Sequence, residues 1–165
     1  MAISGRTWKY GDHVNTDVIF PGKYTYTISD PDEMGPHALE DLDPEFAGNV
    51  KPGDVVVGGK NFGCGSSREQ APQSIKSAGA GAIIARGFAR IFYRNCINIG
   101  LPALVCPEAV DAIEHGDSIS VDLDAGTIEV KGKKFSFPPF EGYAKMIIDN
   151  GGLIPHTRKV LGIDT

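Results

Sequence analysis

The sequence predicts an α/β fold: a mainly parallel central sheet with flanking helices and an antiparallel ribbon toward the C-terminal end. Three observations predict it. Short apolar runs at 55–57, 82–85 and 103–106 alternate with helical patterns, the arrangement that produces right-handed βαβ crossovers. Strict apolar/polar alternation over 118–123 and 127–130, joined by Asp124-Ala125-Gly126, reads as an antiparallel hairpin. Glycine, at 21 of 165 residues, stands well above the usual roughly 7% and calls for many tight turns and close backbone contacts.

Residues 1–165 read as a single domain with a sizeable core. The net charge of −5 and the absence of a long basic run argue against nucleic acid as a partner. No apolar run reaches membrane-spanning length, and Met1 to Arg6 leads into polar residues without a signal-peptide core, so a cytoplasmic location is expected. Cys64, Cys96 and Cys106 are an odd, widely spaced set without a Cys-x-x-Cys pair, which argues against a disulfide framework and against a complete cluster or zinc site in this chain. Cys64 is expected to be a small buried thiol beneath its glycine loop.

Arg6 to Tyr10 alternates as a first strand and ends at Gly11-Asp12. Asn15 to Pro21 runs from polar to apolar and stops at proline, with Thr16 and Asp17 as turn formers on local chemistry alone. Lys23 to Thr27, aromatic and β-branched, would in isolation be a strand. Ser29 or Asp30 can cap a short helix with Pro31 in its first position. The acidic stretch from Asp30 to Glu45 lacks cation-loop spacing, so its carboxylates and His37 read as a solvated face, not a metal site.

Lys51 to Asp54 forms a turn, and Val55 to Val57 a buried strand that feeds Asn61-Phe62-Gly63-Cys64-Gly65-Ser66-Ser67-Arg68-Glu69-Gln70-Ala71-Pro72. Ser66 to Glu69 and Ser67 to Gln70 both have capping-box spacing, which predicts a helix starting there. A glycine turn before a helix start offers unpaired N–H groups and a partial positive charge, and Arg68 adds a planar fork of donors. Such a place attracts phosphate and carboxylate alike. Local chemistry alone also allows serines that only cap and an arginine in solvent. The third glycine of a dinucleotide fingerprint would fall at Arg68, and so would the last glycine of a nucleophile elbow, so neither motif is present.

The helix should end near Ser77-Ala78-Gly79. In the next one Phe88, Ile91 and Phe92 share a face, and Gly100-Leu101-Pro102 stops it. A strand at 103–106, a short helix from Pro107 to His115, the ribbon continued through 134–137, and a helix within 140–150 closed by Gly151-Gly152 complete the pattern. His13, His115 and His156 are scattered and read as surface or capping residues.

The run Asn61 to Pro72, together with Gly81 to Phe92, Asn95 and the opening Gly11 to Ile19, closely resembles the small subunits of 3-isopropylmalate dehydratases, the separate-chain form of the swivelling domain of the aconitase superfamily. The resemblance covers most of the chain. It implies a hydro-lyase of leucine biosynthesis that moves a hydroxyl between adjacent carbons of a carboxylic acid by dehydration and rehydration. Ser66 would be the catalytic base, acting as an alkoxide, with Asp17 also at the active site. Ser67 and Arg68 would hold a substrate carboxylate.

The resemblance further implies a mobile, substrate-selecting loop over 23–36, in which an arginine accompanies substrates carrying an extra carboxylate. Here Tyr26 stands about where that arginine is expected, and Lys23 lies earlier. A pocket edged by Tyr24 and Tyr26 favours an uncharged, partly apolar group. Isopropylmalate fits, citraconate or dimethylmalate fit as well, and homoaconitate stays open beside Lys23. The resemblance places the Lewis acid, a four-iron, four-sulfur cluster, on a large partner subunit in a heterodimer or heterotetramer, with no metal or cofactor bound by this chain. The alternative from another class is a non-catalytic carboxylate- or phosphate-binding module.

Overall fold

The computed structural model describes residues 1–163. Strands β1 (Ala2–Lys9), β2 (Val55–Val57), β3 (Ala82–Ala85) and β4 (Ala103–Val105) run parallel, and β5 (Ser118–Asp122), β6 (Thr127–Val130) and β7 (Lys133–Ser136) form an antiparallel ribbon. All seven join in one sheet, in the order β4-β3-β2-β1-β5-β6-β7. The central strand is shared between the two halves. Thr7 to Lys9 of β1 pair with β2, whereas Ala2 to Arg6 pair antiparallel with β5.

Both β2 and β3 are buried along their whole length, as expected of parallel strands covered on two faces. Val56, Ile83, Ala85 and Ala103 point to one face, into a core with Trp8, Phe46, Phe62, Ile75 and Phe92. Val55, Val57, Ala82, Ile84 and Leu104 point to the other, against Ile113, Ile119, Val121, Ile128 and Val130. The ribbon strand β5 alternates exposed and buried residues, so its outer face meets water.

Short helices α1 (Thr16–Ile19), α2 (Pro31–Met34) and α3 (Phe46–Asn49) connect β1 to β2, and α4 (Gln70–Ala78) and α5 (Arg90–Asn98) follow β2 and β3. Asp30 caps α2 as expected, its Oδ1 accepting from the Asp32 N–H at 3.0 Å with Pro31 first in the helix. Helix α6 (Pro107–Ala112) follows β4, and α7 (Gly142–Asp149) and α8 (Leu153–Leu161) end the chain's described part.

Several local expectations are corrected. Segment 23–27 is not a strand but a 3-10 turn at Gly22–Tyr24 followed by further turns, because no sheet edge lies beside it. Neither capping box forms: α4 starts at Gln70, Glu69 precedes it in helical conformation without a side-chain cap, and the Gln70 amide is engaged elsewhere. Cys64 is only half-buried, since its loop lies at the surface. Ile91 does not join Phe88 and Phe92 in the core and is 52% exposed. His156 is buried, its ring against Tyr143 and its Nδ1 3.2 Å from the Asn150 amide.

One buried carboxylate ties β1 to the turn before β2. Asp54 accepts hydrogen bonds from the Arg6 N–H at 2.9 Å, the Trp8 indole at 3.0 Å and the Lys51 N–H at 2.9 Å. Burial alone would push its carboxyl up, but these three donors outweigh burial and hold it below the ordinary aspartate value.

Candidate active site

The chain leaves β2 into a loop whose backbone passes close to its neighbours, and glycine makes this possible at two points. Gly63 (φ +84°) lies where a Cβ would fall 2.0 Å from the Phe92 ring, and Gly65 (φ +99°) where it would fall 2.6 Å from Asn15 Oδ1. Backbone bonds lash the loop to the entry of α1: Gly63 N–H to Val14 O at 2.7 Å and Thr16 N–H to Cys64 O at 2.8 Å. The Thr16 hydroxyl adds a bond to Ser66 O at 2.9 Å. Asn15 caps α1 through Asp17 N–H at 2.8 Å, so the same side chain sets the helix that carries Asp17 and packs against Gly65.

Ser66 and Ser67 are thereby exposed at the rim of a cleft of about 180 Å³. Thr16, Gly65, Ser66, Ser67 and Arg68 form one wall; Arg90, Ile91, Phe92 and Asn95 form the other. That second wall is the first two turns of α5, whose leading N–H groups have no acceptor within the helix. The N-terminal end of α5 therefore lines the same cleft as the serines, beside the loop that leads into α4. Arg90 also lines the cleft, and its place at the start of α5, after a buried strand and Gly87, is the signal that sequence reasoning passed over.

Arg68 is largely covered, with 19% of its side chain exposed, and makes an ion pair with Asp17. Its Nη1 also donates to Thr25 Oγ1 at 3.2 Å and to Phe20 O at 3.5 Å. The fork thus leans on the 17–25 segment. The two tyrosines lie outside the cleft. Tyr24 lies against His37, with ring centroids 4.0 Å apart and planes tilted by 32°, and donates to Glu40 Oε1 at 3.1 Å. Tyr26 is 97% exposed.

Ser66, Ser67, Arg68 and Asp17 are brought together, and Tyr24 and Tyr26 border them only through the turn that carries Thr25. Among the described residues no three His, Cys, Asp or Glu side chains converge on a point that could hold a metal ion. Cys96 and Cys106 are buried in the separate cores on the two faces of the sheet, and Cys64 lies in the surface loop, so the three thiols do not converge. This donor set does not fit a cluster held by this chain alone.

Residues 15–109, from the Asn15 cap to the start of α6, match the aconitase C-terminal domain family. The chain is 54% identical over 156 residues to the 3-isopropylmalate dehydratase small subunit of Halothermothrix orenii, covering 93% of this chain and 94% of that protein. The chain belongs to the 3-isopropylmalate dehydratase small-subunit family. The crystal structure of the family member from Methanocaldococcus jannaschii superposes with a TM-score of 0.92 at 44% identity, covering 99% of this chain and 97% of that one. The family likeness extends to a methanogen homoaconitase small subunit from Methanothermobacter thermautotrophicus, 50% identical over 96% of this chain and 92% of that protein. No helix among the described residues is long and apolar enough to cross a membrane.

Proposed function

We propose that the chain is the small subunit of a cytoplasmic, hetero-oligomeric hydro-lyase that interconverts 2-isopropylmalate and 3-isopropylmalate in leucine biosynthesis, working with a large iron–sulfur subunit. The observation that carries this reading is the open cleft in which exposed Ser66 shares a wall with Arg68 and faces the first two turns of α5. It offers a proton acceptor and a carboxylate anchor at a surface, which is what half of a shared catalytic centre requires.

Ser66 removes the weakly acidic C–H proton next to a substrate carboxylate. A free hydroxyl is nearly as poor an acid as water, so Ser66 needs positive surroundings to act as alkoxide. The α5 N–H groups and the positive charges of Arg68 and Arg90 supply that field. Arg68 and Ser67 hold the carboxylate and so fix which hydrogen faces Ser66. Asp17 sets the arginine's orientation. A four-iron, four-sulfur cluster on the large subunit supplies the Lewis acid for departure of the hydroxide.

Tyr26, in the place of an arginine, favours isopropylmalate over a substrate with a further carboxylate. The 50% identity to a methanogen homoaconitase small subunit supports homoaconitate as a second reading. Co-expression with a cluster-bearing large subunit, followed by turnover assays with isopropylmalate, methyl-substituted malates and homocitrate, separates them. In that complex Ser66→Ala should abolish turnover and leave substrate affinity largely intact. Full turnover by Ser66→Ala would sink the assignment, and a complex inactive on every acid would leave a carboxylate-binding module.

A further inference from the structure

Arg68 is not alone in reaching the turn beside it. The side chain of Gln70, first residue of α4, points back across the start of its own helix, and its Nε2 donates to Thr25 O at 3.0 Å and to Ile28 O at 3.5 Å. Both partners are carbonyl oxygens, so only the amide nitrogen can face them. Thr25 is thereby held twice, by Arg68 at its hydroxyl and by Gln70 at its carbonyl.

Elsewhere the turn is held by Tyr24, through His37 and Glu40, and by its own backbone. Its backbone bonds are local, from Tyr24 N–H to Pro21 O, Thr25 N–H to Gly22 O, and Ile28 N–H to Tyr24 O. No strand pairs with it. A carboxylate that takes up Arg68 competes for the donors now given to Thr25 and Phe20, and would release the turn on that side. The Gln70 bonds do not involve the arginine and would remain. They decide how close Gly22, Thr25 and Tyr26 stand to whatever Arg68 binds.

We propose that Gln70 is a positioning residue for substrate selection: it clips the carbonyls of Thr25 and Ile28 and so keeps residues 22–28 in register with Arg68 while the arginine engages its ligand. The selection part rests on the enzymatic reading above; the clip itself does not.

Gln70→Glu keeps the shape, removes the donor and sets a carboxylate against two carbonyl oxygens; Gln70→Leu removes the donor without adding charge. Trypsin cleavage after Lys23, in the full chain alone, should become about tenfold faster in both variants, with cleavage after Lys159 unchanged. Cleavage after Lys23 at the original rate, or an equal rise at both sites, would overturn the clip. In the complex, both variants should raise KM for isopropylmalate about tenfold while kcat changes less than threefold. Loss of kcat at constant KM would overturn the positioning role. The proteolysis needs no turnover, so a complex inactive on isopropylmalate counts against the enzyme assignment and leaves the clip decided.

Discussion

Asp17 and Arg68, 51 residues apart in sequence, form an ion pair at the edge of the serine cleft. More of Asp17 is exposed than of Arg68, 55% against 19%, so the carboxylate lies on the solvent side of the guanidinium. One guanidinium nitrogen meets the carboxylate while the other donates to Thr25 and Phe20, so the arginine is oriented before any ligand arrives.

Removing that charge should cost catalysis more than folding. Asp17→Asn is expected to lower kcat/KM by about 10²-fold, the size of loss that follows when a binding group near the reaction is misplaced by about an ångström. Steady-state kinetics of the assembled enzyme, with a thermal melt of the free subunit as control, test this. Turnover equal to that of the parent would mean that Arg68 keeps its place without Asp17.

Tyr26 projects into solvent on the turn that Arg68 and Gln70 hold. Tyr26→Arg should shift preference toward homocitrate over isopropylmalate by at least about tenfold, since a site that pairs a charged group strongly rejects the analogue lacking it. The ratio of kcat/KM for the two acids is the readout. An unchanged ratio would take selection away from this position.

Gly65→Ala should be costly for two reasons that add. The position needs φ of +99°, and the new methyl would fall 2.6 Å from Asn15 Oδ1, which caps α1. Backbone strain of this kind costs about 1–3 kcal/mol, and for a chain of this size each kcal/mol lowers the melting midpoint by roughly 2–4 °C. Calorimetry of the free subunit decides it, and an unshifted midpoint would show the loop to be looser than described.

The buried carboxylate of Asp54 makes stability depend on acid. Its folded value lies below the ordinary one, so the unfolded chain binds the proton more tightly. The stabilisation it gives is complete above the unfolded value of about 3.9 and is lost as pH falls through the lower folded value. Asp54→Asn should cost about 1.5–3 kcal/mol at neutral pH, as for hydrogen bonds to a charged group. Urea unfolding at pH 7 and pH 3 should show the gap between variant and parent narrowing in acid. A gap that stays constant would place the acid sensitivity elsewhere.

Much of this arrangement is legible in the sequence because period carries it. The runs at Val55, Ala82 and Ala103 and the alternation after Ser118 specify strands by local pattern, and the string Ser66-Ser67-Arg68 has the residue types that suit an anion. What escapes is what tertiary contact decides. The start of α4 moves to Gln70 because that amide finds carbonyls 45 and 42 residues away. Tyr24 turns to His37 and Glu40, which no spacing rule anticipates. Helix α8 has no clean apolar stripe: Ile154, Val160 and Leu161 are exposed, and the buried side chain is His156. The α5 wall of the cleft depends on how β3 is placed beside β2, a fact of topology and not of the loop's own sequence.

The position of β1 at the middle of the sheet has a consequence for synthesis on the ribosome. This strand is made first, yet its parallel neighbour begins at Val55 and its antiparallel neighbour only at Ser118. Through most of translation at least one of its edges lacks a mate, an invitation to stray pairing between nascent chains. Chaperone demand during translation should accordingly fall once Asp122 has emerged.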